Sequence, residues 1–235
     1  LVAGEKQSSS PVMKDMISPM ENTVYFLPNS DARQSQIYFY IPMGDYNREE
    51  NVRREAFNQY ISGGFSGLIM NEIREKNSMA YTAYGFASSR GLPGAQTYFS
   101  GYIGTQNDKA VDAIDLYMKL LTDMPERPGR IDNIKSYLRQ SALTDHPDSR
   151  NLSLRIAEWK RRGYTDDPAK KELPLIDSLT FPDIVDYYQK NIKGKPIIIG
   201  VLGNPKDISI DALKKFGKVI RLNEKKLFNE KDTMF

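Results

Sequence analysis

The stretch Leu68-Ile69-Met70-Asn71-Glu72-Ile73-Arg74-Glu75-Lys76-Asn77-Ser78-Met79-Ala80-Tyr81 decides how this chain is read. Leu68, Ile69 and Ile73 recur at helical spacing, which predicts a helix that buries one side. It is expected to start near Phe65 or Ser66 and run to Lys76, with Arg74 in its last turn. From Met79 onward the pattern alternates, as a strand does, and Tyr81 stands on it seven residues after the arginine. Taken alone, each residue also has a structural use. A cation suits a helix C-terminus, and a tyrosine suits the core side of a strand.

Around this stretch the chain reads as one α+β domain. Strands are expected at Thr23–Leu27 and Gln36–Ile41, separated by the turn cluster Pro28-Asn29-Ser30-Asp31. Val52, Ala56, Phe57, Tyr60 and Ile61 then mark a helix that Gly63-Gly64 ends. Met79–Ala87 and Gln96–Thr105 form a hairpin through Arg90-Gly91-Leu92-Pro93-Gly94, with Tyr81, Ala83 and Gly85 on one face and Tyr84 and Phe86 on the other. The cleanest helical stripe is Ala110, Val111, Ile114, Tyr117, Met118 and Leu121. Further stripes follow at Ile131/Ile134/Leu138/Ala142, at Leu152/Ile156/Trp159, and at Phe181/Ile184/Val185/Tyr188 behind a Thr180 cap. Ile197–Leu202 reads as a buried strand, Ile210–Phe216 as a short helix and Val219–Leu222 as an edge strand. The expected architecture is a mostly antiparallel sheet with helices packed on one face, leaving the other face available.

Composition bounds the function. With 40% hydrophobic, 27% charged and 11% aromatic residues, the 235-residue chain is expected to fold. The 33 basic and 30 acidic residues leave a formal charge of +3 without a long basic run, so no nucleic-acid partner is expected. Lys160-Arg161-Arg162 is the densest basic cluster and reads as a solvated helix end. No apolar run approaches the ~20 residues that span a bilayer. The absence of cysteine suits either redox compartment, with a periplasmic or extracytoplasmic setting slightly favoured. Residues 1–22 lack periodicity and read as a linker from a preceding domain, with 23–235 as the domain proper. The start at Leu1 reads as a piece of something longer.

Catalytic machinery is missing by inspection. One histidine, His146 in a turn-like Asp145-His146-Pro147-Asp148 context, cannot supply the three protein ligands of a catalytic zinc. There is no cysteine nucleophile and no Gly-x-Ser-x-Gly elbow. Gly63-Gly64-Phe65-Ser66-Gly67 lacks the Gly-Lys-Ser/Thr ending of a phosphate loop and reads as a tight helix junction.

Arg74-Glu75-Lys76-x-x-x-Ala80-Tyr81 resembles the C-terminal-half motif of the pitrilysin/insulinase-type zinc peptidases, which include the mitochondrial processing peptidases. Gln34-Ser35-Gln36-Ile37, the Gly63-Gly64 junction, Leu68, Ile69 and Phe216-Gly217-Lys218-Val219 are similar to further landmarks of that family, over roughly residues 23–222. Ser78-Met79 stands where Gly-Leu is frequent, and Ser66-Gly67-Leu68 where Ser-Arg-Leu is. The resemblance implies a clamshell of two similar halves. A His-x-x-Glu-His half, on the same chain or a separate subunit, would carry the zinc, and this half would bind no metal. It further implies Arg74 and Tyr81 as substrate-binding residues for a peptide, with Tyr81 donating to the substrate carbonyl as an oxyanion develops. Related halves serve as non-catalytic subunits, so the alternative is a peptide-binding or scaffold subunit that captures strands by sheet-edge pairing. Keeping both Arg74 and Tyr81 favours a half of a working metalloendopeptidase.

Overall fold

The computed structural model describes residues 16–75, 79–145 and 148–227. Most of the proposed linker, Lys76–Ser78 of the motif, and His146 and Pro147 lie outside the described residues. Among the described residues six strands form one sheet: β1 (Thr23–Pro28), β2 (Gln34–Asp45), β3 (Thr82–Ser89), β4 (Gln96–Gln106), β5 (Ile198–Gly203) and β6 (Lys218–Arg221). Their order across the sheet is β3-β4-β2-β5-β1-β6. β3–β4, β4–β2 and β2–β5 pair antiparallel, and β5–β1 and β1–β6 pair parallel. The mostly antiparallel sheet is therefore as expected, and β6 is its edge. β2 outruns its expected bounds at both ends and carries a bulge between Pro42 and Asp45.

Alternation assigns the two faces. Ile37, Phe39, Ile41, Phe99, Ile103, Ile199, Val201, Val24 and Phe26 are buried, beneath α1 (Asn51–Ser62), α3 (Ala110–Thr122) and α7 (Phe181–Asn191). Aromatic contacts tie these layers: Phe57 meets Phe99 at 6.3 Å and Tyr187 at 5.4 Å, and Tyr60 meets Phe181 edge-on at 5.2 Å. Burial of such rings supplies most of the cohesion.

Between α1 and α3, the short α2 (Leu68–Met70) passes directly into a π-wound turn over Asn71–Glu75. The outer helices are α4 (Ile131–Thr144), α5 (Leu152–Arg161) and α6 (Ala169–Ser178), and two short helices, α8 (Ile210–Leu213) and α9 (Glu224–Leu227), flank β6. α5 departs from the general expectation of helices packed on one sheet face: it stands where its stripe suggests a helix, yet it holds no buried residue, and Leu152 and Ile156 are exposed. The sheet face is already covered by α1, α3 and α7, so α5 has no sheet to meet. α6 escapes sequence reading because Pro174 sits inside it, where a proline removes a helix hydrogen bond.

α7 begins as its sequence predicts. The Asp183 carboxylate accepts from the Thr180 N–H at 2.9 Å, from its hydroxyl at 2.6 Å and from Arg53 at 2.8 Å. Burial alone would raise this carboxyl, but the Thr180 hydrogen bonds and the Arg53 charge hold it below the usual carboxylate range. With the folded pKa depressed, this stabilisation is present at neutral pH and is lost as pH falls through the lower folded value. Asp183→Asn is expected to cost about 1 kcal/mol at pH 7, the usual cost of a lost cap. Urea unfolding at stepwise lower pH should show its gap from wild type closing.

Candidate functional site

Arg74 is delivered by an unusual turn. Gly64 adopts φ 60°, and a Cβ on Gly67 would lie 2.8 Å from the backbone of Ser62, so α1 and α2 meet more tightly than side chains permit. Leu68, Ile69 and Ile73 are fully buried, as their spacing predicts. The α-helix expected to reach Lys76 instead stops at Met70, and the π-wound turn leaves Ile73 inside and Arg74 outside. Such single π turns occur disproportionately at functional sites.

Tyr81 sits one residue outside β3 rather than on it. Strand alternation placed it with Ala83 and Gly85, both buried, yet Tyr81 is 63% exposed at a bend. Its N–H still donates to Gly104 on β4 at 3.1 Å, so the backbone is anchored while the phenol swings clear. That overturns the core use of this tyrosine.

The arginine turn and the tyrosine bend are stitched together. The Met79 N–H donates to the Ile73 carbonyl at 3.0 Å, closing the loop immediately behind Arg74. The Thr105 hydroxyl donates to the Met79 carbonyl. Both residues are thus held to the end of β4, and both side chains reach solvent.

Beside them lies a surface that sequence reading located only at Tyr84 and Phe86. Register sets Tyr84, Tyr102 and Tyr38 side by side across three strands, with ring centroids 5.3 Å and 5.1 Å apart. Phe86 stacks on Tyr84 at 6.1 Å, and Tyr40 lies 5.7 Å from Tyr98. Burial, and then neighbouring phenols, push the Tyr40 and Tyr102 hydroxyls up, so they remain neutral donors. With Tyr25, Ser100, Ile198, Gly200 and Leu202 completing it, this central part of the uncovered sheet face carries no charge. The signal was in the alternation of Ile37-Tyr38-Phe39-Tyr40-Ile41 and Tyr98-Phe99, where the outward positions are tyrosines.

The outer edge of β3 is partly closed. Asn58 accepts from the Ala87 N–H at 2.7 Å and donates to its carbonyl at 3.0 Å, and the Ser62 hydroxyl accepts from the Gly85 N–H at 2.8 Å. Strand addition at this edge, the mode expected of a scaffold subunit, would have to displace these bonds.

Zinc does not fit the donor set. The chain has no cysteine and one histidine, and no group of three or more His, Cys, Asp or Glu stands together among the described residues. No helix among them is long and apolar enough to cross a membrane.

A family model described as the peptidase M16 inactive domain matches residues 9–128, just over half of the chain. The chain belongs to this family. No curated protein matches it. Among solved structures, the peptidase M16 inactive domain from Pseudomonas fluorescens is similar at 15% identity and TM-score 0.66, over 83% of this chain and 47% of that one. A protease from Helicobacter pylori is similar at 12% identity and TM-score 0.63, over 83% and 48%. The periplasmic protease PqqL from Escherichia coli is similar at 16% identity and TM-score 0.64, over 85% of this chain and 22% of that one. At these identities the likeness is one of fold, and this chain spans about half or less of each relative's length.

Proposed function

We propose that this member of the M16 inactive-domain family is the metal-free half of a zinc metalloendopeptidase, and that Arg74 and Tyr81 face peptide substrate across a cleft shared with a His-x-x-Glu-His half. The observation that carries this reading is the exposure of both side chains on stitched backbone, at the end of an uncovered, uncharged aromatic face. The guanidinium presents a fork of donors suited to substrate carbonyls or a carboxylate. The phenol donates one hydrogen bond to the scissile carbonyl oxygen, which strengthens as that oxygen gains negative charge. The aromatic face lies against an extended peptide and keeps water from it. Zinc belongs to the partner half and would supply the activated water there. Residues 1–22 act as the connector from a preceding domain. A periplasmic or other extracytoplasmic setting completes the reading.

The test separates the half from the whole. This chain alone, with zinc and an unfolded peptide, is expected to show no turnover, whereas the complete protein with both halves cleaves it. Arg74→Ala in the complete protein is expected to raise KM about tenfold, the loss of one charge-assisted hydrogen bond to bound substrate. Turnover by the isolated chain, or an Arg74→Ala enzyme with unchanged kinetics, would refute the assignment.

A further inference from the structure

The loop that joins α3 to α4 holds the arginine turn from behind. Arg127 pairs with Glu72, and its other terminal nitrogen lies 3.5 Å from the Asn71 side-chain oxygen. Asn71 and Glu72 are the first two residues of the π-wound turn whose fourth is Arg74. The pair is largely withdrawn from water, with side chains 32% and 14% exposed. Three residues on, Arg130 donates to the carbonyls of Tyr60 and Ser66 and lies 5.1 Å over the Tyr60 ring. The Tyr60 hydroxyl returns a hydrogen bond to the Pro125 carbonyl. One short loop therefore grips the end of α1, the glycine junction and the π turn in succession.

A π turn is a rare winding, and here a side chain from outside it engages its first two residues. A planar guanidinium bonded to two successive side chains fixes both position and rotation, which a lone ammonium does not. We infer that Arg127 is a positioning residue: through Glu72 and Asn71 it sets the winding of residues 71–75 and thereby the direction in which Arg74 points. This deepens the assignment of Arg74 as a substrate-binding residue and rests on it.

The experiment uses the complete protein and three variants, Arg127→Ala, Arg127→Lys and Arg74→Ala. Arg127→Ala is expected to raise KM for a peptide about tenfold, matching Arg74→Ala, with kcat changed less than threefold. Combined with Arg74→Ala it should add little, because both act through one contact. Arg127→Lys, which keeps the charge without the fork, should recover only part of the loss. Hydrogen exchange should quicken at amides 71–75 in Arg127→Ala and stay unchanged in the remaining strands. A variant that merely weakened packing would lower thermal stability and leave KM in place, which would overturn the proposal, as would unchanged exchange at 71–75. If Arg74→Ala itself changes nothing, the substrate-binding role of Arg74 falls, and the exchange measurement alone supports or overturns the clamp.

Discussion

On the proposed function, replacing Tyr81 by phenylalanine in the complete protein is expected to lower kcat/KM by roughly 10²–10³, the usual cost of removing one donor to a developing oxyanion. The ring is retained and only the hydroxyl is lost. Because Tyr81 is 63% exposed and its backbone is held to Gly104 independently of the phenol, folding stability should not change. The loss should fall on kcat, since the hydrogen bond strengthens in the transition state, while Arg74→Ala should fall on KM. This split is the signature of two residues facing one substrate in different roles. In a non-catalytic scaffold half, Tyr81→Phe would leave peptide affinity intact and have no turnover to reduce. Steady-state kinetics beside a thermal melt decide the matter, and a kcat/KM within threefold of wild type would remove Tyr81 from the reaction.

The second large effect concerns stability. Tyr117 is fully buried, stacks on Phe39 with centroids 4.1 Å apart and planes 9° off parallel, and donates to the Tyr84 carbonyl at 2.9 Å. Burial pushes its phenol well above the ordinary value, so it stays a donor. Its hydroxyl reaches the sheet only because Gly85 and Gly101 pair directly across β3 and β4. A Cβ on Gly101 would lie 2.2 Å from that oxygen, and one on Gly85 2.4 Å. Tyr117→Ala is therefore expected to cost about 3–5 kcal/mol, the range for truncating a large buried aromatic. Gly101→Ala should cost about 1–3 kcal/mol through overpacking. The double variant Gly101→Ala/Tyr117→Phe should cost less than the two single changes summed, since removing the hydroxyl makes room for the new methyl. Urea titrations of the wild type, the two single variants and the double variant test this, and strict additivity would show that the methyl and the hydroxyl do not meet. The contact bears on function because it seats β3, and Tyr81 leads into β3.

How much was legible follows from what each pattern reports. The stripe of Ala110, Ile114, Tyr117 and Leu121, the Thr180/Asp183 start of α7 and the Gly63-Gly64 junction are local devices, each specified by neighbours in sequence, and each stands where its residues place it. Leu68, Ile69 and Ile73 likewise declare their buried side through spacing alone. The Leu152/Ile156/Trp159 stripe shows the limit, because periodicity reveals an apolar face without revealing whether a sheet remains uncovered to receive it.

The amino-acid sequence by itself pointed to the strands, to most of the helices and their buried sides, and through its family motif to Arg74 and Tyr81 as the residues to watch. Tertiary structure decided the rest. Only strand order, with β4 pairing between β3 and β2, sets Tyr84, Tyr102 and Tyr38, far apart along the chain, side by side on one aromatic face. Residues distant in sequence, Arg127 and Thr105, bond to Glu72 of the arginine turn and to Met79 ahead of the tyrosine bend. The physical reason is range: helix and strand periods arise from backbone geometry over a few residues, whereas a π turn or an exposed strand-end tyrosine persists through contacts made by segments remote in sequence.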